Sequence, residues 1–162
     1  MEVMVALVVS TVGLLGLAKM EALGLSSTSV AGSRSLAAIE ASSLAAAMHA
    51  NPGFWAAGVA LPSYVITAGT PYPLVTPCLN VAGPGSCSPA NMMAYDLNQW
   101  STQLQQVLPG SLATINCTQP VANAPITCTI QLEWTENGVA VSAQQSLMGN
   151  LATPKYVLYV QP

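Results

Sequence analysis

The sequence predicts an α+β protein: one long N-terminal α-helix packed on a four-stranded antiparallel β-sheet, with a second helix in the long connecting region. Three observations carry this expectation. Residues 2–48 hold no proline, and Asn51-Pro52 then stops them, because proline cannot continue a helix and disfavours helix in the residue before it. Met93, Leu97, Trp100, Leu104 and Val107 recur at helical spacing. Residues 113–117 and 128–134 alternate apolar with polar, as half-buried strands do.

The first stretch, Glu2 to Ala18, carries an acid at its head and no further charge until Lys19. A helix of about 48 residues would run roughly 70 Å, far longer than a small domain needs. Its front half is apolar all round and must lie in lipid or among other copies of itself. Val3 to Ala18 spans about 24 Å, short of the roughly 30 Å hydrocarbon core. A secretory signal peptide fits poorly, because the flank is Glu2, the wrong sign, and helix continues without a cleavage site. Gly13, Gly16, Gly24 and Gly32 interrupt the helix, read either as close helix packing or as local looseness. From Ala37 the pattern firms, with Ala37, Ala41, Leu44, Ala45 and Met48 on one face suited to lying on a sheet.

The long region 51–90 is rich in proline, glycine and small residues. Val65–Ala68 and Pro73–Val75 are candidate short strands. So long a loop needs a pin, and a Cys78–Cys87 bond across Gly-Pro-Gly-Ser would supply one. In the second helix Ser88 is the expected N-cap and Pro89 the first helical residue, with Pro109-Gly110 at the end. Trp100 on its apolar stripe reads as core.

A meander then closes the sheet. Pairing that sets Cys117 opposite Cys128 also sets Ile115 opposite Ile130, so both apolar sets share one face. Asn137-Gly138 is a strong hairpin signal and would place Trp134 opposite Val141 and Leu132 opposite Ala143. Tyr156 to Val160 supplies the fourth strand. Four cysteines allow three connectivities; this register chooses Cys117–Cys128 and leaves Cys78–Cys87.

Composition narrows the function classes. The chain has 162 residues, 52% hydrophobic and only 6% charged, with net charge −3. Lys19, Arg34 and Lys155 are too few for a nucleic-acid surface, so no nucleic-acid partner is expected. No Cys-x-x-Cys pair argues for zinc, and an even cysteine count in an exported domain favours disulfides. No nucleophile–base pair or Gly-rich phosphate loop is present, so no enzyme activity, cofactor or metal is expected. His49 is alone in the last helical turn. Asp96, Glu133 and Glu136 read as solvated acids. Asn116-Cys117-Thr118 matches a glycosylation triplet but lies in a strand with a cysteine inside it. Glu2 is the charge whose position is unusual, because a lone carboxylate in lipid costs on the order of 2.5–3.5 kcal/mol at the bilayer centre, less near an interface.

The stretch EVMVALVVSTVGLLGLA closely resembles the N-terminal segment of type IV pilins and pseudopilins. MMAYDLNQWSTQLQQVLPG, with Asp96, Leu97, Trp100, Leu104, Leu108 and Pro109, resembles a second signature, that of PilV-type minor pilins. HANPGFW and CSPA are similar to the same subgroup. The resemblance implies the type IV pilin fold, with residues 1–25 as the membrane and filament-core half of the helix and residues 26–162 as the globular head. It implies a leader cut by prepilin peptidase from the full-length precursor, a methylated N-terminus, and four residues before the glutamate where Met1 alone stands. It therefore implies that this chain starts inside the family's segment. Glu2 matches the assembly glutamate that neutralises a neighbouring subunit's N-terminal amine.

The partners implied are other pilin and minor pilin subunits, the inner membrane before assembly, and a large tip adhesin. The implied place is a single-pass inner-membrane protein with a periplasmic head, then the extracellular pilus. The implied role is a structural subunit of the tip or priming complex, supporting pilus assembly, adhesion and twitching motility. Two rivals stand beside it. One is a minor pseudopilin of a type II secretion system. The other is a membrane-anchored extracytoplasmic binding module using Trp55, Tyr64 and Tyr72.

Overall fold

A computed structural model of the chain describes residues 2–67, 69–73, 78, 87–122, 124–137 and 151–162. They form two compact units, Met1–Gly32 with Glu136–Ala152 and Ser33–Thr135 with Thr153–Pro162. The architecture is α+β, with a long N-terminal helix and a four-stranded antiparallel sheet.

Helix α1 runs Glu2–Ala50 and stops where Asn51-Pro52 predicts. A short turn of helix, α2 (Pro52–Trp55), follows at once. It buries Phe54 and Trp55 edge to face, with ring centroids 5.2 Å apart, and Asn51 Nδ2 donates to the Pro89 carbonyl at 2.7 Å. Helix α3 (Pro89–Val107) begins as expected, with Ser88 Oγ accepting from the Asn91 N–H at 3.3 Å and proline in the first turn. It ends before Gly110, whose φ of 78° glycine adopts at little cost.

The main sheet joins β1 (Ser63–Ile66), β2 (Leu112–Cys117), β3 (Cys128–Glu133) and β6 (Lys155–Val160), in the order β1-β2-β3-β6. The β2–β3 register is the expected one: Cys117 faces Cys128, Ile115 faces Ile130 and Ala113 faces Leu132. The partner of β3 on its other side differs from expectation. Leu132 pairs with Tyr156 and Ile130 with Leu158, not with Ala143 and Gln145. The physical reason is the quality of the apolar set, since Tyr156, Leu158 and Val160 all pack against the core, where Gln145 would have faced Ile130. Residues 139–145 themselves, and Leu74-Val75 of the Pro73–Val75 candidate, lie outside the described residues. The Asn137-Gly138 hairpin is overturned as well, because Asn137 pairs with Leu151 and Glu136 with Ala152, forming β4 (Glu136–Asn137) with β5 (Leu151–Ala152). The expected strand Tyr156–Val160 is present in the main sheet as β6, and the remaining strand is β1, which takes in the start of the Val65–Ala68 candidate and sets Tyr64 opposite Ile115 and Ile66 opposite Ala113.

The inner face of this sheet shares one core with Ala37, Ala41, Leu44 and Met48 of α1 and with Met93, Leu97, Trp100 and Leu104 of α3. Both helices thus turn in the stripes their spacing marks. Trp55 and Tyr64 are core, with ring centroids 5.6 Å apart. Burial pushes the Tyr64 phenol above its ordinary value, although the Leu61 N–H, donating to its oxygen at 2.9 Å, pulls the other way.

Two polar devices hold the helices and the connection. Trp100 Nε1–H donates to the Glu40 carbonyl oxygen at 2.9 Å, and Gln103 Nε2 donates to Glu40 Oε1 at 2.9 Å. Glu40 is only 2% exposed, and its Oε2 has no hydrogen-bond partner. The second device grips Tyr72: its N–H donates to Ser101 Oγ at 2.8 Å, and its carbonyl accepts from Asn98 Nδ2 at 2.6 Å. This pins the connection independently of the Cys78–Cys87 disulfide.

Glu40 yields a prediction. Gln103→Ala strips the carboxylate of its partner and should cost about 2–3 kcal/mol of stability. Glu40→Met, of similar volume, should be neutral or stabilising, because Gln103 is exposed and can turn to water. Urea unfolding of both variants in detergent checks this; equal losses would contradict it.

Candidate functional site

The first candidate feature is the N-terminal half of α1, with Glu2 in its first turn. Val3, Met4, Val5, Leu7, Val8, Val9, Leu14, Leu15 and Leu17 are all exposed, and this helix is a candidate single membrane span by length and composition. Three of its hydroxyls bond back to helix carbonyls. Ser10 Oγ donates to the Ala6 carbonyl at 2.8 Å, Thr11 Oγ1 to Val8 at 2.9 Å and Thr28 Oγ1 to Gly24 at 3.0 Å. A hydroxyl bonded back to its own helix is easier to place in hydrocarbon or against a packed neighbour. A Cβ added at Gly13, Gly16, Gly24 or Gly32 would meet nothing within 4 Å, so no contact within the described chain explains these glycines.

The two disulfides join Cys78 to Cys87 and Cys117 to Cys128, with Cα–Cα distances of 5.4 and 4.0 Å. Cys117 and Cys128 sit in the core; Cys78 is half-buried and Cys87 exposed. Residues 79–86, with the Gly-Pro-Gly-Ser run, lie outside the described residues.

The motif residues of α3 serve packing. Leu97, Trp100, Leu104 and Leu108 are buried. Asp96 is partly buried, and burial holds its carboxyl above the ordinary aspartate range. The native state therefore keeps the Asp96 proton more tightly than the unfolded chain does. The stability this contributes is fully present below the unfolded value of about 3.9 and is lost as pH rises through the native value. Asp96→Asn should accordingly raise the melting temperature at neutral pH, with the gain vanishing near pH ~3. Melting curves across that range test the sign.

The ring residues expected to line a binding surface do not do so. Trp55 and Tyr64 are buried, and Tyr72 packs against the core. Glu136 is also no surface acid, being 6% exposed. His49 is exposed at the end of α1. Among the described residues no group of three or more metal-ligating side chains converges.

A groove that sequence reasoning missed opens in the unit formed by Ser33–Thr135 and Thr153–Pro162. Arg34, Trp134, Pro154, Lys155 and Tyr156 line it around about 440 Å³. The Trp134 backbone N–H donates to the Pro154 carbonyl at 3.3 Å, joining two of the lining residues. Two of the chain's three basic residues therefore share one concavity. Arg34 and Lys155 are far apart in sequence, so only the fold reveals this.

Comparison with protein-family models, curated proteins and solved structures returns no match. The class of protein the structure defines is an α+β chain with a long apolar N-terminal helix and a disulfide-stapled sheet.

Proposed function

We propose that this chain is a minor pilin of the PilV type: a structural subunit of the type IV pilus, in its tip or priming complex, supporting assembly, adhesion and twitching motility. One observation carries the reading. A single helix is apolar and exposed over its first half, with an acid in its first turn, and then turns a buried face toward a sheet and a second helix. The first half is built to be covered by lipid before assembly and by other subunits afterwards. The resemblance of residues 2–18 and 92–110 to pilin signatures supports the same reading. On it, the protein waits in the inner membrane with its head in the periplasm and then enters the extracellular fibre beside other pilin and minor pilin subunits.

The experiment is to tag the protein in its native cell and follow it through membrane fractions and sheared filaments, alongside a deletion strain. The reading expects the protein in both fractions and far fewer pili in the deletion strain. A deletion that spares pili and blocks exoprotein secretion would instead establish the secretion pseudopilin. A protein that never leaves the membrane, with pili and secretion intact, would leave the anchored binding module.

A further inference from the structure

We infer that the open edge of β6 is an interface for a second copy of this chain, the two β6 strands pairing antiparallel about a two-fold axis at Val157; the inference stands independently of the pilus reading. Strands β1 and β6 end the main sheet on either side. Strand β1 has four residues, and its inward Tyr64 and Ile66 are buried. Strand β6 has six, and its inward Tyr156 and Leu158 are only half-buried although both pack against the core. Natural edges are blunted by shortness, proline, charge or a bulge. Strand β1 is short. From Tyr156 to Val160, β6 carries no charge and no proline, and it pairs with β3 without a bulge. Among the described residues β3 is its one strand neighbour in the sheet.

The hydrogen-bond phase fixes which backbone groups the edge offers. Glu133 faces Lys155, so the next opposed residues are Trp134 and Pro154. The Trp134 N–H donates to the Pro154 carbonyl. A bond between directly opposed residues marks a hydrogen-bonded pair, and such pairs recur at every second residue of an antiparallel ladder. Tyr156, Leu158 and Val160 therefore bond toward β3. The N–H and C=O groups of Lys155, Val157 and Tyr159 point to the open side, where another strand can satisfy them.

A second β6 answers this pattern. With Val157 opposite its own copy, Lys155 falls opposite Tyr159 of the second copy, and every outward backbone group from Lys155 to Tyr159 bonds across. On the inner face Tyr156 meets Leu158 of the second copy, so the half-buried apolar residues cover each other. On the outer face Val157 meets Val157, and the Lys155 ammonium reaches the ring of a Tyr159 that is 77% exposed in the single chain. No like charges meet, since Glu133 lies beside Lys155 on the β3 side. Moving the axis to Tyr156 or Leu158 keeps the bonding phase but throws Tyr159 or Lys155, respectively, beyond the end of the facing strand. This self-match commits the edge to a second copy rather than to an unrelated strand.

The test uses the full-length chain in detergent micelles, where the four native cysteines are bonded in pairs and an added one is the sole free thiol. Under copper–phenanthroline oxidation Val157→Cys should give a disulfide-linked dimer. Lys155→Cys and Tyr159→Cys, each alone, should give at least about tenfold less, because like positions lie too far apart to bridge, while a mixture of the two should crosslink. Val65→Cys, on the exposed face of β1, reports chance collision or association driven by α1. Val157→Pro removes an outward N–H and spares the bonds to β3, and Val157→Lys sets two ammonium groups at the axis; each should abolish the mixed crosslink while the circular dichroism spectrum holds. Equal crosslinking at Val65→Cys, equal yields from the single variants and their mixture, or a mixed crosslink that survives Val157→Lys would each overturn the proposal. So would the absence of dimer from Val157→Cys, which would leave the edge to an unrelated strand.

Discussion

If the chain is the proposed pilus subunit, Glu2→Ala in its native cell should leave the head folded and the protein in the membrane but reduce its entry into filaments by at least about tenfold. The carboxylate heads an apolar, fully exposed helical surface. Alone in a bundle of such helices it would be costly to desolvate. The N-terminal ammonium of a neighbouring subunit would offset that cost in a setting of low dielectric and weak screening, and would fix the axial offset between subunits. Immunoblots of sheared filaments beside membrane fractions measure the effect. Incorporation at the native level would show that Glu2 is not the assembly contact.

Replacing both Cys117 and Cys128 by alanine should cost about 2–4 kcal/mol. The bond closes a separation of 11 residues across the β2–β3 ladder, and both sulfurs lie in the core, so the loss combines a freer unfolded chain with lost packing. Replacing Cys78 and Cys87 should cost less, because those residues are half-buried and exposed. Unfolding curves of the two double variants rank the bonds; the reverse order would contradict this account.

What could be read in the sequence was local. The stripes on α1 and α3, the Ser88 cap and the β2–β3 register each depend on residues within a few turns or one hairpin of each other. The second neighbour of β3 was not legible for the same reason. Asn137-Gly138 is a strong local turn signal, yet Tyr156, Leu158 and Val160 cover the core better, and tertiary packing prevailed. Strand β1 showed in the sequence as the Val65–Ala68 candidate, but its pairing with the distant β2 did not. Glu40 could have been found: it lies on the apolar face between Ala37 and Leu44, and a polar residue there needs a partner across the interface. The groove could not, since its charges come from α1 and β6 and meet only in the folded head. The cysteine pairs were legible, Cys117–Cys128 from the register and Cys78–Cys87 as the remainder; the basic groove was not.

The grip on Tyr72 makes this stretch an internal peptide ligand. Pro71 and Pro73 flank it, holding the dipeptides extended before any contact forms. Helix α3 presents Asn98 and Ser101 one turn apart and reads both backbone groups of the central residue. The hydrogen bonds read main chain, so they need only an N–H that proline would lack, while the Tyr72 ring is held separately by packing against the core and Tyr64. Because the segment is tethered to its own receptor, its effective concentration is high and little ordering entropy is left to lose. The connection is thereby split into two shorter closures, and each doubling of length on either side adds only about 0.6 kcal/mol. Polar insertions before Pro71 or after Pro73 can thus accumulate while the sheet and both long helices keep their geometry, so this part of the head is free to change length and surface as its environment demands.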